Sequence, residues 1–480
     1  MTTPYAFYFD ATFCSGCKAC QAACKDKNNL PLGVLWRRVY EVSCGTWQQN
    51  GDAWNNTVFA YNISISCNHC VHPKCAGVCP VDAYVVRDDG IVFLDSTRCV
   101  GCGYCAWACP YGAPQYNADS GCMTKCDFCI DNLEQGLPPA CVAACPMRVL
   151  DYGEATTDQV LAANKLALWE TPVEAHPYPL ANYSHTQPRL ALHPHAAMST
   201  LEKKSVANLE EIQPRSTSTW EETPLMLFTL LGQMAVGGFW AMLWMFSPLW
   251  ILAEYDTTRL RWLPTLLIGI CLGAATLASF AHLGTRKNAW RVLTNLRRSW
   301  LSREILFTGL FGLGWVFSSL ESVIWHRSSV LGLGITATLG LGLVYSMAQV
   351  YRLKAAPLWN SWRTNASFIV SALLLGQSLI TSLLIFESNS IGIQLSASQR
   401  IIANGGILIL LLIQLLLIRK QFPRSIHQDI RIGLILIGMI LTAVNVIASV
   451  SHVLWITILS FLIIMLEEGV GRWLFYRSRT

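Results

Sequence analysis

Sixteen cysteines in the first third of the chain fall into four groups that share one spacing, two residues inside the first pair and three inside the last. They are Cys14, Cys17, Cys20 and Cys24; Cys67, Cys70, Cys75 and Cys79; Cys99, Cys102, Cys105 and Cys109; and Cys126, Cys129, Cys141 and Cys145, the last with a longer middle gap. Thiolates so spaced suit cubane iron–sulfur clusters, whose chemistry is the transfer of single electrons. A two-residue gap folds the chain into a tight loop that aims successive sulfurs at one cluster. The fourth cysteine begins a segment directed away and ligates the other cluster of a pair. Four groups of four therefore predict four 4Fe–4S clusters. A proline follows the fourth cysteine at Pro80, Pro110 and Pro146, and Lys25 takes that place in group one.

Between groups two and three, "VDAYVVRDDGIVFLDSTRC" reads as two short strands around a turn at Asp88–Gly90. That is the layout of a bacterial two-cluster ferredoxin, so these groups form an inner module and groups one and four an outer one. The expected ligand sets are Cys67, Cys70, Cys75 with Cys109; Cys99, Cys102, Cys105 with Cys79; Cys14, Cys17, Cys20 with Cys145; and Cys126, Cys129, Cys141 with Cys24. Cys44 and Cys122 fall outside the pattern and read as thiols with no ligand role. A disulfide framework belongs to shorter secreted chains. Structural zinc does not explain the repeated three-residue final gap.

Composition sets the frame for these groups. Of 19 cysteines, 18 lie between Cys14 and Cys145, and from about residue 224 the chain turns strongly apolar, with 14% charged residues overall. The expected fold is an α+β double ferredoxin-like domain (residues 1–150), an extended strap and linker (151–222), and an all-α membrane bundle (223–480). The strap is rich in proline and histidine, and His176, His185, His193 and His195 follow no ligand spacing. No basic run interleaved with aromatics is present, which argues against nucleic acid. The N-terminus lacks the basic and apolar regions of a signal peptide. Arg37–Arg38 follows the first cysteine group with no apolar run behind it and reads as a surface pair.

Eight apolar runs are long enough to cross about 30 Å of hydrocarbon: roughly 225–252, 262–282, 305–325, 329–350, 366–386, 401–418, 430–450 and 452–470. Gly237, Gly238, Gly312, Gly314, Gly340 and Gly342 suit close helix packing in lipid. An even number of spans puts both chain ends on one side. The loops of that side carry sixteen lysines and arginines, from Arg286 to Arg479, against Arg259, Arg261, Arg327 and Arg400 opposite. This bias predicts a cytoplasmic head. His282, His326 and His452 sit at span ends rather than facing each other in the bundle, so no haem is expected and quinol is the natural electron carrier. A quinol site needs a proton acceptor near the membrane surface. His282, ending the second span, and Glu304, beginning the third, meet that need; Glu321, Glu467 and Glu468 are the alternatives, each also readable as an interfacial or arginine-paired charge.

"CSGCKACQAACKDKN", "CVGCGYCAWACPYGAPQY", "MTKCDFC" and "CVAACPMRVLDYG" make the head, roughly residues 4–195, resemble the four-cluster iron–sulfur subunit of the dimethyl sulfoxide reductase family. The tail, from "PLMLFTLLGQMAVGGF" to "EEGVGRWLFY", is similar to the eight-helix anchor subunit of the same complex, with residues 196–222 as the junction. The resemblance implies a separate molybdopterin-containing catalytic subunit, wired by the clusters to menaquinol (or ubiquinol) from the membrane quinone pool. It implies that the outer module faces that subunit and the inner module the membrane, and that the family's quinol-site residues fall on His282 and Glu304. Some relatives replace a group-three cysteine by tryptophan; Cys102 is present here, in keeping with four cubanes. The best-known members face the periplasm, whereas the charge bias here points inward, and inward-facing relatives include enzymes that oxidise sulfur compounds.

The expected function is thus a non-catalytic redox and anchor subunit of a quinol-linked molybdenum oxidoreductase, serving anaerobic respiration with dimethyl sulfoxide or a similar acceptor. The competing expectation is an ion-translocating module like that of polysulfide reductase, which requires ionisable groups at mid-span.

Overall fold

In the computed structural model of the chain, the described residues are 3–44, 46–56, 58–156, 158–160, 181, 183–195, 222–245, 257–324, 329–391, 397–418, 425–447 and 450–478. His176 and His326 lie outside them, as do the side chains of Cys44 and His452. Backbone contacts divide the chain into two units, Met1–Ser216 with Leu283–Ser299, and Thr217–His282 with Trp300–Thr480.

In the first unit, β1 (Tyr5–Asp10) buries Phe7 and Phe9 on one face and Ala6 on the other, where it packs against Ala155 and Val160. Helix α1 (Ala19–Lys27) follows the first cysteine loop. Strands β2 (Arg38–Cys44) and β5 (Phe59–Ile65) pair antiparallel, and β3 (Trp47–Asn50) and β4 (Ala53–Asn56) form an exposed hairpin between them. After α2 (Lys74–Val78), β6 (Tyr84–Val86) and β7 (Val92–Leu94) form the hairpin expected between groups two and three. Gly90 supplies the positive φ of 81° that its turn requires. Then come α3 (Tyr104–Ala108), the hairpin β8 (Gln115–Asn117) and β9 (Cys122–Thr124), α4 (Ile130–Glu134) and α5 (Ala140–Ala143).

The strap contributes to this unit rather than lying apart from it. β10 (Leu150–Glu154) pairs antiparallel with β1, α6 (Tyr183–Thr186) follows, and β11 (Leu190–His193) pairs with β1 in parallel. The shared core runs from Phe7 and Phe9 through Ile63 and Ile65 to Phe128 and Leu192, with Cys20, Cys24, Cys67, Cys126 and Cys141 inside it.

Among the described residues, the second unit holds eight helices long and apolar enough to cross a membrane. They are α7 (Thr223–Met245), α8 (Thr257–Ala281), α9 (Trp300–Ile324), α10 (Val330–Tyr351), α11 (Trp362–Ile391), α12 (Ala397–Ile418), α13 (Ile426–Ile447) and α14 (Val450–Arg477). All six glycines singled out by sequence sit against a neighbouring helix. The closest approach is at Gly237, where an added Cβ would lie 1.7 Å from the Ala372 carbonyl oxygen of α11; Gly376 on α11 faces the same spot. Where polar groups find no water, dispersion and close backbone approach hold helices together.

Several boundaries shift by four or five residues from the sequence reading, and the last helix extends further. The last helix runs to Arg477 rather than to about residue 470, so Glu467 and Glu468 stand ten and nine residues inside it. At 1.5 Å per residue that is about 15 Å from its end, well inside the helix rather than at its terminus. The helix continues because both carboxylates find buried partners on neighbouring helices, given below.

Candidate functional site

Each cysteine loop is built by the same backbone device. The residue before the second cysteine has positive φ in all four groups: Gly16 (68°), His69 (41°), Gly101 (70°) and Phe128 (68°). That left-handed step turns the loop back on itself, so the flanking sulfurs converge. Two of the four positions carry glycine, which adopts it freely, and two carry bulky side chains at a cost of about 1–2 kcal/mol. The third cysteine of each group then lies in a short helix, α1, α2, α3 or α5. The fourth lies at or just past the helix end in groups two, three and four.

Backbone and side-chain donors point at the sulfurs. The Gly101 and Met123 N–H groups donate to Cys99 Sγ at 3.3 and 3.4 Å, Ala83 N–H to Cys79 Sγ at 3.4 Å, and Phe128 N–H to Cys126 Sγ at 3.4 Å. The Ser64 hydroxyl lies 3.3 Å from Cys20 Sγ. Donors placed so stabilise a sulfur that carries negative charge, as a cluster ligand does. Without such charge the burial is unfavourable to thiolate: it pushes the Cys24 and Cys102 thiols up to about 12.

The fold brings the sixteen cysteines together in four sets of four. Cys14, Cys17, Cys20 and Cys145 line one pocket, and Cys67, Cys70, Cys75 and Cys109 line another. Electrostatic neighbours give the other two sets. Cys102 faces Cys79 and Cys99, and Cys105 faces Cys102 and Cys79. Cys24 faces Cys141 and Cys129, and Cys126 faces Cys24 and Cys141. Among the described residues no three cysteine, histidine or carboxylate groups converge on a point suited to one metal ion. The thiols instead gather in fours, and a cubane cluster fits that donor set.

The sets also have an order. Cys105 neighbours Cys75, Cys126 neighbours Cys67, and Cys20 neighbours Cys141. The sequence of sets is therefore that of Cys99, that of Cys67, that of Cys126 and that of Cys14. Cys17, in the last of these, is exposed. Cys122 is buried next to Cys99 but turns its sulfur to oxygens, at 3.6 Å from the Ser96 carbonyl and 3.3 Å from the Thr285 hydroxyl.

Two cations lie among these thiols. Arg37 is 2% exposed, which corrects its reading as half of a surface pair. Its guanidinium donates to Ser64 Oγ at 3.3 Å and Ser66 Oγ at 2.9 Å and stacks 4.7 Å from the centre of the Phe7 ring. Its partner Arg38 is half-buried and donates to the carbonyls of Tyr111 and Gly112. Arg37 is drawn into the core because it leads into β2 on the covered face of the β2–β5 ribbon. Lys125 is 3% exposed and donates to the carbonyls of Val92 and Cys126. Neither cation has a sequence signal beyond the position of Lys125 directly before Cys126.

The segment 283–299, between α8 and α9, packs within the first unit through uncharged donors. Asn288 Nδ2 donates to the carbonyls of Thr97 (2.9 Å) and Cys99 (3.0 Å). Asn295 Nδ2 donates to the Cys79 carbonyl (2.8 Å) and Asp82 Oδ1 (2.9 Å), and the Ser299 hydroxyl donates to the Val78 carbonyl at 2.9 Å. Cys79 and Cys99 belong to one thiol set. A short 3-10 helix, Arg286–Leu293, carries Asn288. This role was not legible from the basic residues that dominate the segment.

His282 and Glu304 flank that segment in the second unit. His282 is half-buried with its Nδ1 shielded and without a hydrogen-bond partner, and Glu304 is buried in the first turns of α9. Among the described residues no hydrogen bond or ion pair joins the two side chains. The phenols of Tyr351 and Tyr476, hydrogen-bonded to each other, lie within electrostatic range of Glu304.

The remaining carboxylates sort differently. Glu321 is half-buried and accepts from the Ser329 N–H at the start of α10. Glu467 pairs with Arg431 at 2.8 Å, both fully buried. Glu468 accepts from Ser371 Oγ at 2.8 Å and Gln414 Nε2 at 3.0 Å, while Arg472 donates to Gln233 Oε1 at 2.8 Å. The spans, expected to be almost free of ionisable groups, thus enclose a buried polar network around α14.

Comparison with known proteins accounts for both units. The model of the dimethyl sulfoxide reductase anchor subunit (DmsC) matches residues 216–477, and that of a 4Fe-4S dicluster domain matches residues 58–155. The chain is 52% identical over 153 residues to a chain of the anaerobic dimethyl sulfoxide reductase of Escherichia coli (strain K12), covering 32% of this chain and 75% of that one. It is 33% identical over 194 residues to the formate dehydrogenase iron-sulfur subunit of Wolinella succinogenes, covering 36% and 92% of the two chains. It is 41% identical over 141 residues to a tetrathionate reductase subunit of Salmonella typhimurium, covering 29% and 54%. These relatives match the head, and the anchor model matches the helices. The chain therefore belongs to the dimethyl sulfoxide reductase family, joining a 4Fe-4S electron-transfer domain and a multi-pass membrane anchor in one polypeptide.

Proposed function

We propose that this chain carries electrons between membrane quinol and a separate molybdopterin-containing catalytic subunit through four 4Fe-4S clusters. The observation that supports this reading is that the cysteines gather in four-thiol groups, two of them lining pockets of their own and each with close neighbours in the next. Bound clusters supply one-electron transfer. The protein's part is to hold them with the sixteen thiolates, to aim N–H donors at the sulfurs, and to keep water out of the shared core.

Oxidation of a quinol releases two electrons and two protons. His282 accepts the first proton: its Nδ1, without a hydrogen-bond partner, offers a basic site. Glu304, buried beside the Tyr351 and Tyr476 phenols, accepts the second proton and completes the site. The clusters would be held in series, the set of Cys99, whose backbone carries the Asn288 and Asn295 bonds, standing at one end and the set with the exposed Cys17 at the other. Menaquinol as donor is carried over from the family resemblance, and dimethyl sulfoxide or a similar compound as terminal acceptor follows from the names of the relatives.

Replacing His282 with glutamine tests the site. Quinol-driven turnover in membranes should fall by a factor on the order of a hundred, the scale of one proton-transfer catalyst. A soluble artificial donor should still reduce the clusters to the wild-type extent. Undiminished turnover with quinol would remove His282 from the mechanism. A second reading, an ion-translocating module, gains support from the buried Arg431–Glu467 pair and the Glu468 network well inside α14.

A further inference from the structure

Arg37 and Lys125 are both fully buried in the head, and among the described residues neither forms an ion pair with a carboxylate. A cation removed from water and left without a counter-charge is strongly unfavourable. What surrounds these two is sulfur. Arg37 lies in the field of Cys141, Cys126, Cys20 and Cys24. Lys125 lines the pocket ringed by Cys67, Cys70, Cys75 and Cys109 and lies in the field of Cys67, Cys75 and Cys126. Four thiolates outweigh the positive charge of a cubane's metal and sulfide core, and each added electron makes the site more negative. The missing counter-charge is therefore the ligated clusters themselves.

The placement of each cation matters more than its presence. The thiols around Arg37 come from the sets of Cys126 and Cys14, and those around Lys125 come from the sets of Cys67 and Cys126. Each cation thus stands at a junction between consecutive sets. We propose that Arg37 and Lys125 are electrostatic bridges that raise the reduction potentials of the two clusters on either side of each junction, making electron transfer from the inner to the outer module favourable. This inference rests on the four-cluster reading above. It assigns Arg37 and Lys125 as positioning residues for charge: neither binds iron, and both act through the thiolates. Ser64 and Ser66 fix the Arg37 guanidinium, and Ser64 also reaches Cys20 Sγ, so one hydroxyl ties cation and ligand together.

The pattern of effects is specific. Removing the Arg37 charge should disfavour reduction at the sets of Cys126 and Cys14, and removing the Lys125 charge should do so at the sets of Cys67 and Cys126. The Cys126 site responds to both changes and the Cys99 site to neither.

The test is a redox titration followed by low-temperature electron paramagnetic resonance, on membranes holding the full chain with its large partner. Iron content is measured alongside. The variants are Arg37→Gln, Arg37→Lys, Lys125→Gln and Lys125→Arg. Each charge-removing variant should lower the equilibrium constant for one-electron reduction about tenfold at two of the four steps, about 59 mV for a one-electron couple. One step should move in both variants and one in neither, while the charge-keeping variants stay close to wild type. Unmoved steps in both glutamine variants, or equal shifts in the charge-keeping ones, would overturn the proposal. If a glutamine variant loses iron while its charge-keeping counterpart retains it, the cation is needed to balance a cluster, which supports the proposal. If both lose iron alike, the side chain only packs, and the proposal fails. Wild-type membranes with fewer than four clusters would instead refute the four-cluster reading, a result separable from any potential shift.

Discussion

Cys122 and Cys126 are both buried and belong to one short stretch, yet their sulfurs meet different atoms. Cys126 Sγ lies among Cys24, Cys141 and Cys67, whereas Cys122 Sγ is turned to the Ser96 carbonyl and the Thr285 hydroxyl. A serine hydroxyl can make both of the latter contacts. Cys122→Ser should therefore retain the full iron content of the purified complex, while Cys126→Ser should lose about one cluster in four, measured as iron per chain. The repeated cysteine spacing already separates these two residues in the sequence, because ligand geometry is dictated over a few bonds. Arg37 and Lys125 had no such signal. Nothing local distinguishes a buried arginine in "LWRRVY" from a solvated one; its burial is set by the strand across from it and by Phe7.

Among the helices, α7 and α11 meet at Gly237 and Gly376 with their backbones in direct contact. Gly237→Leu must push them apart, since its Cβ would lie 1.7 Å from the Ala372 carbonyl oxygen. The expected cost is that of overpacking a full core, about 1–3 kcal/mol or more. It should appear as a lower melting temperature of the detergent-solubilised complex, with the iron content of the head unchanged. The small-residue pattern made close packing legible but not which helices cross there, because any two apolar helices satisfy composition equally well. The segment 283–299 shows the same limit. Its charges read as a membrane-side marker, yet Asn288, Asn295 and Ser299 hold it within the head unit through backbone carbonyls. Carbonyl acceptors carry no side-chain signature, so this docking could not be read from residue types.

For the chain as a whole, the excess of sixteen basic residues over four in alternate loops predicts a cytoplasmic head. Sealed inside-out vesicles should then expose Cys17 to a membrane-impermeant thiol reagent once clusters are removed, and right-side-out vesicles should protect it. Labelling from the outer face would reverse the orientation. The same vesicles decide the ion-translocating alternative: an electrically silent turnover leaves the Glu467–Arg431 and Glu468 contacts with a structural role in the bundle, while net charge movement makes them part of a path.

Cysteine spacing, the turn at Asp88–Gly90 and the eight apolar runs could be found in the sequence because each is a local property. Covalent spacing sets ligand geometry, a positive φ calls for glycine, and hydrocarbon thickness sets helix length. The order of the thiol sets, the burial of Arg37 and Lys125, the return of residues 283–299 to the head and the buried partners of Glu467 and Glu468 were decided only by tertiary structure. In each case the deciding partner lies far along the chain. Burial and electrostatic field depend on what packs around a residue, and that neighbourhood exists only once the chain has folded.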